Sequence, residues 1–255
     1  MRRVTSGRSR LYSLILVAVL LLAPGVSTAE QLRVAVASNF ADALAAIGRR
    51  FQAATQHRVV LSAGSTGKLY AQIRNGAPFG AFFGADVRRP QLLEEQGVAV
   101  PGSRFTYAVG RLVLWSPRPG YVDPEGRVLQ RGAFRHLAIA NPLLAPYGKA
   151  AQEVLQTRSL WQALSGRLVR GENIGQAYQF VSTGNAELGF IAWSQIMRPG
   201  QPLAGSSWSV PQALYSRIEQ QAVLLQDKSV AHEFLAFVRG DEALKIIRDY
   251  GYDRP

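Results

Sequence analysis

Short apolar runs alternate with amphipathic repeats along the first hundred residues of the chain. The run at residues 31–37 (QLRVAVA) is typical of a β-strand, and apolar residues then recur at i, i+4, i+7 and i+11 from Phe40 onwards, along one face of a helix. A second apolar run at residues 59–61 precedes another helical repeat. A third run at residues 80–84 is apolar throughout, as in strands of parallel sheets, and a short helix begins at Pro90. The pattern predicts the order β-α-β-α-β-α.

The second half of the chain continues this alternation after a long extended run. Residues 105–115 (FTYAVGRLVLW) are almost continuously apolar, and we interpret this run as the passage from one lobe of the protein into another. Residues 197–211 are rich in Gly, Pro and Ser, which is the composition of a connection. The other strands and helices are expected at residues 136–140, 146–155, 168–169, 176–181, 188–193, 218–225, 230–238 and 241–250.

The two β-α series predict an α/β fold with two lobes, each a mostly parallel sheet flanked by helices. The expected boundaries assign residues 30–107 plus 212–255 to lobe 1 and residues 108–211 to lobe 2. In open parallel sheets, ligands bind beyond the carboxyl ends of the strands. A ligand cleft is therefore expected between the lobes.

The first 29 residues have the pattern of a secretory signal peptide. Four arginines precede an apolar run at residues 11–23, and Ser27 and Ala29 supply the small residues of a cleavage site before Glu30. The apolar run is shorter than the roughly 20 residues that span a bilayer. We therefore expect export of the chain, removal of residues 1–29 and a location in the periplasm.

Composition narrows the possible functions. The sequence contains no cysteine, which excludes disulfides, thiol catalysis, thiolate metal sites and a lipidated cysteine at the cleavage point. The formal net charge is +12, and it stays positive after loss of the four signal arginines, which favours anionic ligands. The Arg and Lys residues are scattered and form no aromatic-interleaved basic patch, so nucleic acid is not an expected partner.

Four small or polar turns at predicted helix starts carry the candidate chemistry. Lobe 1 contributes Ser38–Asn39 and Ser65–Thr66, and lobe 2 contributes Tyr147–Gly148 and Ile174–Gly175. Unpaired N–H groups and the helix dipole make such turns suitable for an anion. The second turn does not fit a nucleotide P-loop, because its two glycines are too close together and a leucine follows the lysine. Helix capping alone is the alternative role for Ser65.

The scarcity of acidic residues in these turns indicates the protonation state of the ligand. A protonated phosphate would need an acceptor such as Asp or Glu, whereas a fully ionised tetrahedral dianion needs donors only. The acids closest in sequence are Asp42, in the first turn of its predicted helix, and Glu172, which precedes Asn173. The residues therefore favour a binding protein for a fully ionised oxyanion.

Two other classes of function fit the residues less well. A secreted hydrolase lacks support, because His57, His136 and His232 have the spacing of neither a zinc site nor a triad, and no Gly-x-Ser-x-Gly motif is present. A DNA-linked regulator would need a helix-turn-helix segment and would carry no signal peptide. We therefore expect no enzymatic activity. Sulfate or another small oxyanion remains an alternative ligand, since a sequence does not measure a cavity.

Seven motifs spread over essentially all of the mature chain carry a family resemblance. They are VAVASNFADAL, LSAGSTGKLYAQIRNGAPFGAFFGAD, PGSRFTYAVGRLVLWS, ANPLLAPYGKA, ENIGQA, ELGFIA and FLAFVRGDEALKIIRDYGY. Together they resemble the molybdate-binding proteins of bacterial molybdate ABC transporters, and most of all the Azotobacter-type branch of that family. The resemblance implies a two-lobed type II periplasmic binding protein fold that closes on molybdate or tungstate with high affinity and delivers it to a membrane permease. It also implies a monomer without a cofactor.

The same resemblance implies which residues bind the ligand. They are Ser38 and Asn39 in the first turn, Ser65 in the second turn, and Tyr147 and the backbone at Ile174 in the other lobe. These residues would hold molybdenum through its oxo groups, with no direct metal ligand from the protein. The enteric branch of the family uses a tyrosine where this chain has Ala192, so Tyr147 is inferred to supply the aromatic hydroxyl. Packing at a helix start is the alternative role for Tyr147.

Overall fold

Two five-stranded sheets form the framework of the protein. The computed structural model describes residues 29–255, so the signal peptide expected at residues 1–29 lies outside the described residues except for its last position. Among the described residues, no helix combines the length and apolar character that crossing a membrane requires.

The first sheet contains the strands of the first β-α series. Its strand order is β2-β1-β3-β10-β4, with β1 and β2 parallel, β1 and β3 parallel, and β10 antiparallel to both β3 and β4. The N-terminal part of the chain, residues 31–110, supplies the following elements in order: β1 (Gln31–Ala37), α1 (Ala41–Thr55), β2 (Arg58–Gly64), α2 (Thr66–Arg74), β3 (Ala81–Gly84), α3 (Arg88–Glu95) and β4 (Phe105–Gly110).

The second sheet has the same arrangement, with strand order β7-β6-β8-β5-β9. Strand β6 is parallel to β7 and β8, whereas β5 is antiparallel to β8 and β9. Its elements are β5 (Leu112–Ser116), α4 (Val128–Arg131), β6 (Leu137–Ala140), α5 (Pro146–Thr157), α6 (Trp161–Leu164), β7 (Leu168–Gly171), α7 (Ile174–Ser182), β8 (Leu188–Ala192) and β9 (Ser206–Ser209). The chain then returns to the first sheet through β10 (Ile218–Leu224), α8 (Ser229–Arg239) and α9 (Asp241–Asp249).

The predicted fold class, two α/β lobes with mostly parallel sheets, is confirmed. Each sheet has four strands in one direction and one strand, β10 or β5, in the other. The long apolar run is divided at Arg111, because β4 pairs within the first sheet and β5 within the second. The prediction for residues 197–211 missed strand β9. Its sequence SSWS lacks an apolar alternation, and as an edge strand it pairs only with β5.

An aromatic cluster holds the first polar turn in place. Phe40 is fully buried in the short 3₁₀ helix Ser38–Phe40, and its ring lies 4.4 Å from that of Tyr107 and 5.4 Å from that of Tyr252. Burial of a large aromatic side chain contributes on the order of 2–3 kcal/mol. The turn after β1 is therefore anchored by the residue that follows Asn39.

Candidate functional site

The four predicted turns meet around one small cavity between the lobes. Each follows the carboxyl end of a strand: the 3₁₀ helix follows β1, α2 follows β2, α5 follows β6 and α7 follows β7. All five predicted site residues line this cavity, namely Ser38, Asn39, Ser65, Tyr147 and Ile174.

Ser65 caps α2 and still has a proton to donate. Its backbone is extended (φ −73°, ψ 142°), and its Oγ accepts a hydrogen bond from the N–H of Lys68 at 3.3 Å. Within residues 29–255, no protein acceptor takes the hydroxyl proton of Ser65. The cap therefore leaves the hydroxyl free to donate into the cavity.

The hydroxyl of Ser38 also accepts a backbone hydrogen bond, and this bond crosses the cleft. Its Oγ accepts a hydrogen bond from the N–H of Gly175, in the other lobe, at 3.2 Å. Glycine at this position permits the approach, since a Cβ there would lie 3.0 Å from Asn173 Oδ1 and 3.3 Å from Ser38 Cβ. The hydroxyl proton of Ser38 has no protein acceptor in the described part of the chain, so it too can be donated to a ligand.

Tyr147 also lines the cavity, and its hydroxyl has the same polarity. The residue is 1 % exposed, and its phenol oxygen accepts a hydrogen bond from Gln220 Nε2 at 3.2 Å. Burial raises the pKa of the Tyr147 phenol well above its usual value, and the neighbouring Tyr252 and Tyr215 add to the increase. The group is therefore neutral and protonated at physiological pH, as a hydrogen-bond donor must be.

Asn39 faces the cavity with its backbone and turns its side chain into the protein. Its Nδ2 donates to Gln220 Oε1 at 2.8 Å and to the Tyr252 hydroxyl at 3.0 Å. Its carbonyl accepts from Ser194 Oγ at 3.0 Å and from Tyr252 at 2.7 Å. The N–H of Asn39 has no acceptor among the residues that the structure describes, and the same holds for the N–H groups of Tyr147 and Ile174.

Sequence reasoning missed the buried polar residues behind the cavity. Gln220, Ser194 and Tyr252 support the donors from within the core. Thr66, which the sequence places in the second turn, lines the cavity, and its hydroxyl accepts from the N–H of Ala85 at 3.1 Å. The available signal was a glutamine pair directly before the apolar end of β10 (IEQQAVL). Buried polar side chains in a core strand usually serve a network.

Among residues 29–255, no charged side chain lines the cavity. The acid next to its rim, Glu172, is paired with Lys68 of the other lobe, with 2.7 Å between Nζ and Oε2. Asp86 is paired with Arg89. The described residues also contain no cluster of His, Cys, Asp and Glu that could hold a metal ion. The cavity therefore offers neutral donors and no competing acceptor carboxylate.

Direct contacts close the lobes over the cavity. The N–H of Gly67 in α2 donates to the carbonyl of Leu144 at 2.9 Å, and Arg89 Nη2 donates to the carbonyl of Leu143 at 3.3 Å. Together with the Lys68–Glu172 pair, these bonds join the two sides of the cleft. The two lobes are thus in direct contact and face the same cavity.

Comparison with known proteins gives consistent matches. Residues 32–253 match the family model described as bacterial extracellular solute-binding protein. The chain is 50% identical over 227 residues to the molybdate-binding protein ModA of Azotobacter vinelandii, covering 88% of this chain and 90% of that protein. It is 48% identical to ModA of Rhodobacter capsulatus, with 89% of each chain covered.

Solved structures agree with the sequence matches. The periplasmic molybdate-binding protein of Azotobacter vinelandii superimposes with a TM-score of 0.86 and 44% identity, covering 88% of this chain and 99% of that one. Such identity over nearly the whole fold is far above the level at which only the fold is shared. The chain therefore belongs to the family of bacterial extracellular solute-binding proteins, in the group of the periplasmic molybdate-binding ModA proteins.

Proposed function

We propose that this protein binds molybdate or tungstate in the cavity between its lobes and delivers it to the permease of an ABC transporter. One observation carries the proposal: the hydroxyls of Ser38, Ser65 and Tyr147 each accept a hydrogen bond from the protein, which leaves each proton to a ligand. The close similarity to two ModA proteins favours molybdate over other oxyanions of the same charge.

The donor set suits a fully ionised tetrahedral oxyanion. Three hydroxyls and the N–H groups of Asn39, Tyr147 and Ile174 would surround its oxo groups, and the helix N-termini of α2, α5 and α7 add positive potential. Hydrogen bonds to a charged acceptor are stronger than those between neutral groups. A protonated oxyanion would bring an O–H that finds no carboxylate acceptor at the cavity. The metal itself would not contact a protein atom.

Calorimetry with four anions tests the ligand. The purified chain would be titrated with molybdate, tungstate, sulfate and phosphate in turn. Tight binding of the first two, with weak or no binding of phosphate, is expected. If sulfate bound as tightly as molybdate, the alternative of a general small-oxyanion binder would replace the proposal. Binding of none of the four would refute it.

Closure of the lobes on the ligand is expected, because donors from both lobes would contact it. Ligand contacts from both lobes stabilise a closed conformation to the extent that they are lost in an open one. Saturating molybdate is therefore expected to make the protein more compact in small-angle X-ray scattering. An unchanged radius of gyration would exclude closure as the response to the ligand.

A binding role without catalysis, a periplasmic location and a monomeric state complete the proposal. The location depends on the signal pattern in residues 1–29, and it predicts that the exported protein begins at Glu30. N-terminal sequencing of the periplasmic fraction checks the cleavage site. Light scattering on the purified chain checks the monomer.

A further inference from the structure

Gln220 is a fully buried polar residue in the middle of β10, directly behind the cavity. Its side chain makes three hydrogen bonds, and every partner is itself buried. The Oε1 atom accepts from Asn39 Nδ2 at 2.8 Å and from the Tyr107 hydroxyl at 3.0 Å. Its Nε2 donates to the Tyr147 hydroxyl at 3.2 Å, and this bond joins the first sheet to a helix of the other lobe.

The bonds around Asn39 fix the orientation of the amide, whereas the single proton of the Tyr107 hydroxyl can go either to Gln220 Oε1 or to the Gly84 carbonyl at 3.1 Å. The Tyr252 hydroxyl donates to the Asn39 carbonyl at 2.7 Å, so its oxygen accepts from the Asn39 side chain and the Asn39 atom that faces it is Nδ2. Because Nδ2 can only donate, the atom of Gln220 that it faces is the oxygen, and the glutamine nitrogen then faces Tyr147. A nitrogen that donates to the phenol oxygen prevents the phenol from donating to Gln220. The Tyr147 proton is thereby directed elsewhere, and the cavity adjoins this residue.

We propose that Gln220 is a positioning and specificity-determining residue that makes Tyr147 an obligatory donor to the bound anion. The inference rests on the proposed function and deepens it. A phenol with a free choice of partner could accept a proton from a protonated oxyanion as readily as it could donate to an ionised one. Locked by Gln220, it serves only the ionised form.

The backbone next to this pair supports the same reading. Gly110, the last residue of β4, lies against both groups, and a Cβ built on it would overlap the Tyr147 hydroxyl and the Gln220 amide. The dihedral angle φ of Gly110 is not positive, so the turn geometry does not require glycine there. Close approach of the Tyr147–Gln220 bond does require it.

A double-mutant cycle tests the role of Gln220. The dissociation constant for molybdate is measured for the unsubstituted chain, Gln220→Met, Tyr147→Phe and the double variant. Methionine is similar in length and makes no strong hydrogen bond. We expect Gln220→Met to weaken binding about tenfold in the presence of Tyr147 and less than about twofold in the Tyr147→Phe background. A merely structural role would give equal losses in both backgrounds.

Gln221→Met provides the matched control. This neighbouring glutamine bonds to Thr106 and Arg104 and not to the cavity network, so its substitution should leave the affinity unchanged. Gln220→Leu, which also removes the amide, is the second probe if Gln220→Met does not fold, and it too should weaken binding only when Tyr147 is present. Equal losses in both backgrounds, or no loss, would overturn the role of Gln220 while the proposed function stands. If the unsubstituted chain bound no molybdate, both would fail.

Discussion

The substitution Ser65→Ala separates helix capping from ligand binding. Ser65 is buried at the start of α2, where its Oγ accepts from the N–H of Lys68 and its proton points to no protein acceptor among residues 29–255. Alanine removes both interactions and adds no bulk. The cap bond to the N–H of Lys68 stabilises the folded protein with or without a ligand. The other exists only when an anion is present.

The two effects differ in size and in the quantity that reports them. Loss of an N-cap costs about 1 kcal/mol in the free energy of unfolding. Loss of one hydroxyl donor to a charged acceptor costs about 1.5–3 kcal/mol of binding free energy, which weakens the dissociation constant about 10- to 150-fold. The backbone donors of the turn remain in place. Binding should therefore be weakened and not abolished.

Calorimetry with molybdate and urea unfolding without ligand measure these two quantities. Ser62→Ala is the matched control, because Ser62 is an exposed residue of β2 three positions earlier. It should change neither value by more than about 0.5 kcal/mol. Ser65→Ala could instead lower the free energy of unfolding while binding molybdate as tightly as Ser62→Ala does. Ser65 would then be a helix cap only, and the hydroxyl argument for the site would be refuted.

Three further predictions concern closure, charge and pH. Gly67→Ala should weaken molybdate binding by about 5- to 150-fold and reduce the compaction seen by scattering. The reason is that a Cβ at Gly67 would lie 3.0 Å from the Leu144 carbonyl oxygen across the cleft. Gly166→Ala, at a position with open space around it, should change neither quantity. Lys68→Ala should weaken binding at most about fivefold and less at high salt, since its pair with Glu172 is largely exposed; a hundredfold loss would mean that Lys68 contacts the ligand. Burial raises the pKa values of Tyr107, Tyr147 and Tyr252, so their contribution to stability is fully present below the unfolded pKa of about 10 and is lost as pH rises towards the folded values. The free energy of unfolding measured with urea should decline above about pH 10, and the decline should be less steep in Tyr252→Phe. An equal slope in both proteins would contradict a raised pKa for Tyr252.

The order of the strands and of the longer helices could largely be predicted from the sequence because most of them are buried on one face or on both, whereas the four-residue helices α4 and α6 were not predicted. Strand β8 is a continuous apolar run, β1 is apolar from Val34 to Ala37, and α1 repeats its apolar residues every three or four positions. Strand β9 could not be predicted in this way. Its stability comes from pairing with β5 at a sheet edge, which leaves no periodic signal in four residues.

The turns of the candidate site could also be predicted, whereas the polarity of their hydroxyls could not. A serine in a turn is a donor or an acceptor, and which one depends on a partner far away in sequence. Ser38 meets Gly175, which is 137 residues away, and Tyr147 meets Gln220, which is 73 residues away. Only the folded structure brings these partners together.

The buried network explains how a site without a countercharge could hold a dianion. Among the described residues, every buried side-chain nitrogen and oxygen has a hydrogen-bond partner, so the groups behind the cavity are already oriented before a ligand arrives. Fixed dipoles need little reorganisation on binding, and in a water-excluded cavity each is worth more than in water. A lysine or arginine in the cavity would attract anions of any shape and protonation state. Neutral donors locked by Gln220 and by the turns respond instead to the number and direction of the acceptors, and this is the property that a selective oxyanion site requires.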